Sequence, residues 1–198
     1  MQRFVTAIRK SIHEQNWFAA LFLALAVPDI CGTLEQPPTG KRGEVEDRYC
    51  KWFDKYLKMK YDPDSSYDAI SVNSPEHLSG LNEQEILFLK IPFPSQDSPF
   101  TAQDCYRFRC KCLHEGLLMK QGDEKFIFIE PPPKKCVVHK LSLNGLYQLQ
   151  IDVFCEDICL GVEQWFEEVK QDQAIISRMQ ELIQISHYDI LSPSIKFE

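Results

Sequence analysis

The segment Tyr106-Arg-Phe-Arg-Cys-Lys-Cys-Leu-His-Glu-Gly116 places two arginines before a histidine near the end of a predicted helix. Arg109 stands five residues before His114, and Arg107 stands seven residues before it. A guanidinium is a permanent cation with a planar set of donors, and an imidazole ordinarily titrates near neutral pH. The segment therefore predicts a site that handles a phosphodiester.

This predicted helix has a sequence signal at each end. Thr101-Ala-Gln-Asp104 has the spacing of an N-terminal capping box, with Asp in place of the usual Glu, and Gly116 favours the end of the last turn. Residues five apart on an ideal α-helix differ by about 140°, whereas residues seven apart nearly eclipse. Arg107 is therefore expected to share a face with His114, where it either assists in binding phosphate or is only a surface residue.

Helical spacing of apolar residues recurs in three other parts of the chain. Residues 2–31 predict one long, largely buried helix that ends at Gly32. Residues 44–60 predict a helix with an aromatic inner face and a charged, solvated outer face. The pattern from Leu149 onward is again helical and continues through 175–185. We therefore predict a mainly all-α bundle of four to five helices.

Two other parts of the chain interrupt this helical pattern. Residues 61–99 are rich in Pro, Ser, Asp and Asn, and predict a long surface excursion with a short helical piece inside it. Apolar, β-branched segments at 125–130 and 136–143 predict a small two-stranded β insert at about 125–143. The prolines at 131–133 disfavour a tight hairpin between the two strands.

The composition is that of one soluble globular domain covering residues 1–198. The chain is 44% hydrophobic and 26% charged, which is ordinary for a soluble protein of this length. Its formal net charge of −7 disfavours broad electrostatic attraction to nucleic acid. Any contact with RNA must therefore be local.

The eight cysteines are expected to be reduced, and several are expected to be in the core. A zinc site is the competing interpretation. Cys110, Cys112 and His114 alternate along the predicted helix, however, so that Cys112 is turned away from the other two. Cys155 and Cys159 share a helix face, but no C-x2-C pair completes a tetrahedral set. We therefore expect neither a metal nor a cofactor.

The N-terminal region imitates a secretory signal, because Arg3, Arg9 and Lys10 precede an apolar run at Trp17–Val27. This run is too short to span a bilayer, and the helical apolar pattern extends backward through Phe4. We expect a cytoplasmic protein that does not contact a membrane, and a signal peptide is the alternative.

Four local motifs carry a family resemblance: Ala24-Leu-Ala-Val-Pro-Asp-Ile-Cys-Gly32, Tyr49-Cys-Lys-Trp-Phe-Asp-Lys-Tyr56, Asp104–Gly116 and Val162-Glu-Gln-Trp-Phe166. On these motifs the chain resembles an uncharacterised bacterial branch of the HEPN superfamily, the all-α nucleotide-binding domains of higher eukaryotes and prokaryotes. The superfamily's hallmark, R-x4-6-H on a late helix, corresponds to Arg109 and His114. The residue after the arginine is commonly Asn in the superfamily and is Cys110 here.

The resemblance implies an HEPN-like bundle and a metal-independent endoribonuclease or RNA-binding protein that acts as a toxin or in phage defence. RNA would supply its own 2'-hydroxyl nucleophile, His114 would act as base or acid, and Arg109 would hold the phosphate. The superfamily's usual homodimer would bring both residues from two subunits into one cleft. A protein antitoxin is an expected partner. A non-catalytic HEPN scaffold and a nucleotide-binding module are the alternatives.

Other polar residues are candidates for orienting roles. Asp29 lies near the end of an apolar helix, where a carboxylate is costly unless it is paired, so Arg109 or His114 is its expected partner. The alternative is that Asp29 starts the loop. Glu115 either orients His114 or faces solvent. Four histidines lack an arginine at the required spacing and are expected to be surface or structural residues: His13, His77, His139 and His187.

Overall fold

The protein is mainly helical, as predicted. The structure, a computed structural model, describes residues 1–93, 100–116, 125–133 and 136–185. Within these ranges the structure has nine α-helices, more than the four to five predicted. The helices are α1 Gln2–His13, α2 Trp17–Glu35, α3 Glu44–Tyr56, α4 Lys58–Tyr61, α5 Ser66–Asn73, α6 Glu83–Leu89, α7 Ala102–Cys110, α8 Ile151–Val169 and α9 Gln173–Gln180.

Helix α3 packs closely against α2 and α8 at two glycines. A Cβ added to Gly32 of α2 would lie 3.1 Å from the Cβ of Arg48. A Cβ added to Gly161 of α8 would lie 3.0 Å from the Trp52 ring and 3.3 Å from the Cβ of Tyr56. The lack of a side chain at these two positions therefore sets the spacing of the three helices.

We expect Gly161→Ala to lower the free energy of unfolding by about 1–3 kcal/mol, because the added methyl group overpacks the contact with Trp52 and Tyr56. Gly80→Ala is the matched control, since a Cβ at Gly80 meets nothing within 4 Å. Urea denaturation of both variants measures the difference. If the two variants had equal free energies of unfolding, α3 would move away from the added methyl group without a measurable loss of stability.

The single helix predicted for residues 2–31 is wrong, because the chain forms two helices there. Gln15 has a φ of 56°, a left-handed conformation that interrupts the helix. Asn16 then caps α2, and its side-chain oxygen accepts a hydrogen bond from the backbone N–H of Ala19 at 3.2 Å. Helix α2 also continues beyond Gly32. A local turn and cap therefore outweigh the apolar periodicity.

Among the described residues, α2 is the one helix that is long and apolar enough to cross a membrane, with a hydropathy of 1.8. Half of its apolar window is buried inside the protein. A core helix of a soluble protein and an N-terminal signal sequence share this composition, so the support for a membrane span is weak. The cytoplasmic location stays a prediction.

The predicted two-stranded insert has a third strand. The strands are β1 Phe126–Ile129, β2 Leu141–Leu143 and β3 Leu146–Gln150, in the order β1-β3-β2. β2 and β3 form an antiparallel hairpin at Asn144-Gly145, where both residues have positive φ. β1 pairs with β3 in parallel. The prediction missed β3 because its apolar residues lead directly into α8, and Leu149 was assigned to that helix.

The predicted surface excursion contains more helix than expected. It includes α5, a 3₁₀ turn at Pro75–Leu78 and α6. Between residues 62 and 93, Ser65 alone is buried. Residues 94–99 of the predicted excursion and 134–135 of the predicted insert lie outside the described residues.

An aromatic cluster joins the sheet to α7 and α8. Phe108 of α7 stacks on Phe128 of β1 with ring centroids 4.9 Å apart. Phe128 also contacts Phe154 of α8 at 5.0 Å, and Phe126 contacts Phe100 at 4.8 Å. Edge and stacked contacts of this kind add to the free energy of burial. The cluster fixes α7 against the rest of the protein.

A polar chain of hydrogen bonds also joins the insert to the helices. The backbone N–H of Gln150 donates to Nδ1 of His139 at 3.0 Å, so the ring is neutral and carries its proton on Nε2. Nε2 lies 3.2 Å from the Tyr61 hydroxyl, which donates to the carboxylate of Asp157 at 2.8 Å. Burial lowers the pKa of His139 to about 4. The contact is therefore made with uncharged imidazole.

This network is expected to make stability depend on pH. The pKa of His139 in the folded protein is below its ordinary value of 6.5. The contribution of neutral His139 to the free energy of unfolding is therefore fully present above pH 6.5 and is lost as pH falls toward 4. We expect a loss of about 2 kcal/mol, which allows for the partial solvation of the ring. Denaturation at several pH values measures it, with His139→Gln as the non-titrating control. Parallel pH profiles for the two proteins would contradict the prediction.

Candidate functional site

The motif segment is one continuous helix that begins at a capping box and ends in a π-helical turn at Lys111–Glu115. The hydroxyl of Thr101 accepts a hydrogen bond from the N–H of Asp104, and the Asp104 carboxylate accepts one from the N–H of Thr101. Gly116 has a φ of 65° and donates its N–H to the carbonyl of Lys111, five residues back. The predicted capping box and terminal glycine are confirmed.

The π turn brings Arg109 and His114 together. Backbone bonds in a π turn join residues five apart, so residues at this spacing approach one face instead of differing by about 140° as on an α-helix. Nη1 of Arg109 lies 3.3 Å from Nε2 of His114. Arg107 is exposed and forms no side-chain hydrogen bond or ion pair with any residue in the described ranges. Arg109, and not Arg107, is therefore the partner of His114.

Asp29 of α2 anchors Arg109, which is one of the two partners expected from the sequence. Nη2 of Arg109 lies 3.0 Å from Oδ2 of Asp29. The side chains are 14% and 20% exposed, so the ion pair is largely removed from water. Charge-assisted hydrogen bonds of this kind fix the direction of a guanidinium. The sequence separation of 80 residues shows that the fold, and not the local helix, makes the pair.

A second arginine, Arg48 of α3, faces the same carboxylate and was missed in the sequence. Its side chain is 6% exposed, and its Nη2 lies 3.9 Å from Oδ1 of Asp29. Oδ1 of Asp29 and Nε of both Arg48 and Arg109 are buried, and none of them has a hydrogen-bond partner among the described residues. Asp29 therefore lies between two guanidinium groups, one of them buried and the other half-buried. The charged face of the 44–60 helix was expected to be solvated, and Arg48 shows that part of it is not.

Glu44 supplies a further negative charge beside Arg48. Its Oε1 lies 3.7 Å from Nη1 of Arg48, one helical turn away. The backbone N–H and the hydroxyl of Thr39 donate hydrogen bonds to Glu44, and these lower its pKa to about 2. Glu44 therefore stays ionised at neutral pH. Glu44 and Arg48 are four residues apart on a predicted helix, and this spacing in the sequence indicates that Arg48 has a carboxylate nearby.

The remaining candidate residue, Glu115, does not orient His114 through a hydrogen bond. Its carboxylate pairs with Nζ of Lys111 at 2.8 Å, on the exposed surface.

Cys110 and Tyr106 lie close to the Arg109–His114 pair. Nη1 of Arg109 lies 3.9 Å from the sulfur of Cys110. Burial, assisted by the Cys110 thiol, raises the pKa of Tyr106 to about 12. Tyr106 is therefore a neutral phenol near the site.

The histidine is open to solvent, whereas the arginine that holds it is not. His114 is exposed. Nε2 of His114 accepts from Arg109 only while the ring is neutral with its proton on Nδ1, because an imidazolium has no free lone pair. The lone pair that would accept a proton is therefore occupied by Arg109, and a substrate must displace this contact before His114 can act as a base. Once the contact is displaced, the Arg109–His114 pair suits proton removal next to an anionic group.

The other histidines do not form such a pair. His13 and His77 are exposed, and neither makes a hydrogen bond to an arginine among the described residues. His139 belongs to the network with Tyr61. His187 lies outside the described residues. In the part of the chain that the structure describes, no group of three His, Cys, Asp or Glu side chains is placed to hold a metal ion.

Comparisons with protein-family models, with curated proteins and with solved structures gave no significant match to the chain. The HEPN resemblance therefore rests on the sequence motifs.

Proposed function

We propose that the protein is an HEPN-type, metal-independent endoribonuclease of a toxin or defence system, with a composite site at a homodimer interface. The observation that carries this proposal is the exposed His114, held 3.3 Å from an arginine that Asp29 anchors. His114 is free to contact a substrate, and the guanidinium of Arg109 is fixed in direction by Asp29. Both properties are needed for acid-base chemistry on a phosphodiester.

The chemistry assigns a role to each group. His114 takes the proton of the ribose 2'-hydroxyl, whose oxygen attacks phosphorus while the bond to the 5'-oxygen breaks. Arg109 stabilises the charge on the phosphorane through the donors that Asp29 leaves free. His114 of the partner subunit donates a proton to the leaving 5'-oxygen. The products are a 2',3'-cyclic phosphate and a 5'-hydroxyl, with no metal in the reaction.

The local charge supports an anionic substrate in spite of the net charge of −7. Arg107 is exposed on the helix that carries Arg109 and His114. Lys111, the first residue of the π turn, is 36% exposed. Together with Arg109, they give this short helix a local set of cationic groups, although Lys111 also pairs with Glu115 and Arg109 with Asp29. This is the local contact that an acidic RNA-binding protein requires.

An apolar surface of α2 that the described residues leave partly uncovered supports the homodimer. A helix that is apolar on all sides is normally buried on all sides, whereas half of α2 is buried within one chain. Phe18 is 77% exposed and Phe22 is 38% exposed. The surface, which we call the α2 stripe, ends beside Asp29 and consists of Phe18, Phe22, Leu23, Ala26 and Ile30. A second copy on this stripe would bring the two sites near each other.

A non-catalytic scaffold is the second candidate, and one observation favours it. Arg109 is 14% exposed and already committed to Asp29, as expected for an arginine that fixes helix packing. In a scaffold, the exposed His114 would have no chemical role. The two candidates differ in whether the protein cleaves RNA.

The experiment is cleavage of a mixed RNA pool by purified protein in EDTA, followed by analysis of the new ends. We expect 2',3'-cyclic phosphate and 5'-hydroxyl ends from the wild-type protein. A single-stranded DNA pool is the matched control, because DNA has no 2'-hydroxyl and must stay intact. Cleavage that requires added Mg²⁺, or that leaves 5'-phosphate ends, would contradict the proposed mechanism. No cleavage of either pool would favour the scaffold.

The homodimer is tested separately by sedimentation. We expect the wild-type protein to be a dimer and Phe18→Asp to be a monomer, because the aspartate places a charge within the α2 stripe. Phe88→Asp is the matched control, since Phe88 is 73% exposed and lies on α6, outside the stripe. A wild-type monomer at assay concentrations would remove the composite site from the proposal.

A further inference from the structure

The segment of residues 62–93, which we call the acidic segment, is a closed surface unit. Its two ends are held together by a backbone hydrogen bond from Phe93 N–H to the carbonyl of Asp64 at 2.8 Å and by an isolated bridge between Ser65 and Pro92. Asn82 and Glu85 form a complete capping box that begins α6. The segment is therefore ordered at its base and along its helices, although nearly all of it faces solvent.

Large apolar side chains are exposed together near the end of this segment. Leu87 is 67% exposed, Phe88 is 73% exposed, Ile91 is 58% exposed and Phe93 is 45% exposed. Leu87 and Phe88 lie in the last turn of α6, and Ile91 follows shortly after that helix ends at Leu89; we call these three exposed side chains the apolar patch. Four exposed apolar residues in sequence positions 87–93 are more than the scattered single residues of an ordinary surface.

The segment that carries the apolar patch is rich in carboxylates, and Glu83 and Glu85 precede Leu87 and Phe88 by about one turn of α6. Residues 62–93 contain six carboxylates and one lysine, a net charge of −5 within a chain of −7. Glu76 and Glu83 are exposed and form no ion pair with described residues. Asp64, in contrast, is paired with Lys58, which lies just before the segment, at 2.7 Å. The one lysine of the segment, Lys90, lies 4.7 Å from the centre of the Tyr67 ring. The segment that carries the exposed apolar side chains therefore also carries most of the chain's excess negative charge.

From this combination we infer that the apolar patch binds a cationic, amphipathic helix of another protein. Leucine-like side chains of the helix would cover Phe88 and its neighbours, and its lysines and arginines would meet the carboxylates of the rim. Negative charge at this surface disfavours RNA and anionic membranes, which are themselves polyanions.

A second copy of the chain does not fit this surface as well. Its cationic amphipathic helix, α1, already has Val5 and Ile8 buried in its own core. Arg9 of α1 is also committed, because it binds the carboxylates of Glu156 and Glu163. Helix α1 therefore does not supply the matching surface, and we assign that surface to a different protein.

The test uses two designed peptides of about 18 residues, long enough to form a helix. One is built from leucine and lysine, and the other has glutamate in place of each lysine. Fluorescence anisotropy measures the binding of each to the full-length protein. We expect the lysine peptide to bind, its affinity to fall as salt is raised, and the glutamate peptide not to bind.

The decisive variant is Phe88→Asp, which removes apolar area while it adds negative charge. We expect it to weaken binding of the lysine peptide at least ~10-fold, because the aromatic anchor is lost. Val137→Asp introduces the same charge at an exposed apolar residue outside both the apolar patch and the α2 stripe, and is expected to bind like the wild type. Circular dichroism checks that both variants are folded.

Two results would overturn the inference. Equal or tighter binding by Phe88→Asp would show that the peptide responds to charge alone. Self-association that Phe88→Asp abolishes, without any binding of the lysine peptide, would assign the patch to a second copy of the chain.

Discussion

Loss of the imidazole in His114→Ala is expected to lower the rate of RNA cleavage in EDTA at least ~100-fold, the usual effect of removing a general base or acid. The side chain is exposed and makes its one observed hydrogen bond to Arg109, so its removal leaves the core intact. Stability and oligomeric state are therefore expected to stay those of the wild type. His13→Ala is the matched control, since His13 is exposed and lacks an arginine partner in the described structure.

Mixing of inactive variants distinguishes a composite site from two independent ones. A heterodimer of His114→Ala and Arg109→Ala keeps one arginine and one histidine, on different subunits. If the two subunits share one cleft, the mixture should regain part of the activity that each variant lacks. Cleavage by His114→Ala at the wild-type rate would remove the histidine from the mechanism. Mixed subunits that exchange but stay inactive would place a complete site within each chain.

Local rules explain which parts of the fold and site were predictable. The capping box at Thr101, the end of the helix at Gly116 and the pairing of Asp29 with an arginine all depend on spacing or on the cost of an unpaired charge. The Asn144-Gly145 turn is also a readable local signal of a hairpin, and the prediction did not use it, because the helix predicted from Leu149 onward includes the end of β3.

The features that the sequence did not reveal depend on contacts distant in the chain or on irregular backbone. The π turn at Lys111–Glu115 has no simple sequence signature, yet it decides that Arg109 and not Arg107 meets His114. Arg48 is charged and lies on a helix with a polar face, so its burial follows only from its position opposite Gly32.

The second large effect concerns stability. Asp29→Ala is expected to lower the free energy of unfolding by about 3 kcal/mol, because it leaves one buried and one half-buried cation without their shared carboxylate. Arg48 and Arg109 are 6% and 14% exposed, so water compensates little for the loss. Asp29→Asn keeps an acceptor for Arg109 and is expected to lose less. Urea denaturation at neutral pH measures both variants.

The matched control is Glu115→Ala, which removes a carboxylate from an exposed pair with Lys111. Such surface pairs contribute little, so a change within about 0.5 kcal/mol is expected. If Asp29→Ala were no more destabilising than this control, solvent would have to reach Arg48 and Arg109. If Asp29→Ala were strongly destabilised while Asp29→Asn stayed stable but cleaved RNA slowly, the carboxylate would have a second role. Its charge would then direct Arg109 toward His114 and the phosphate, beyond holding α2, α3 and α7 together.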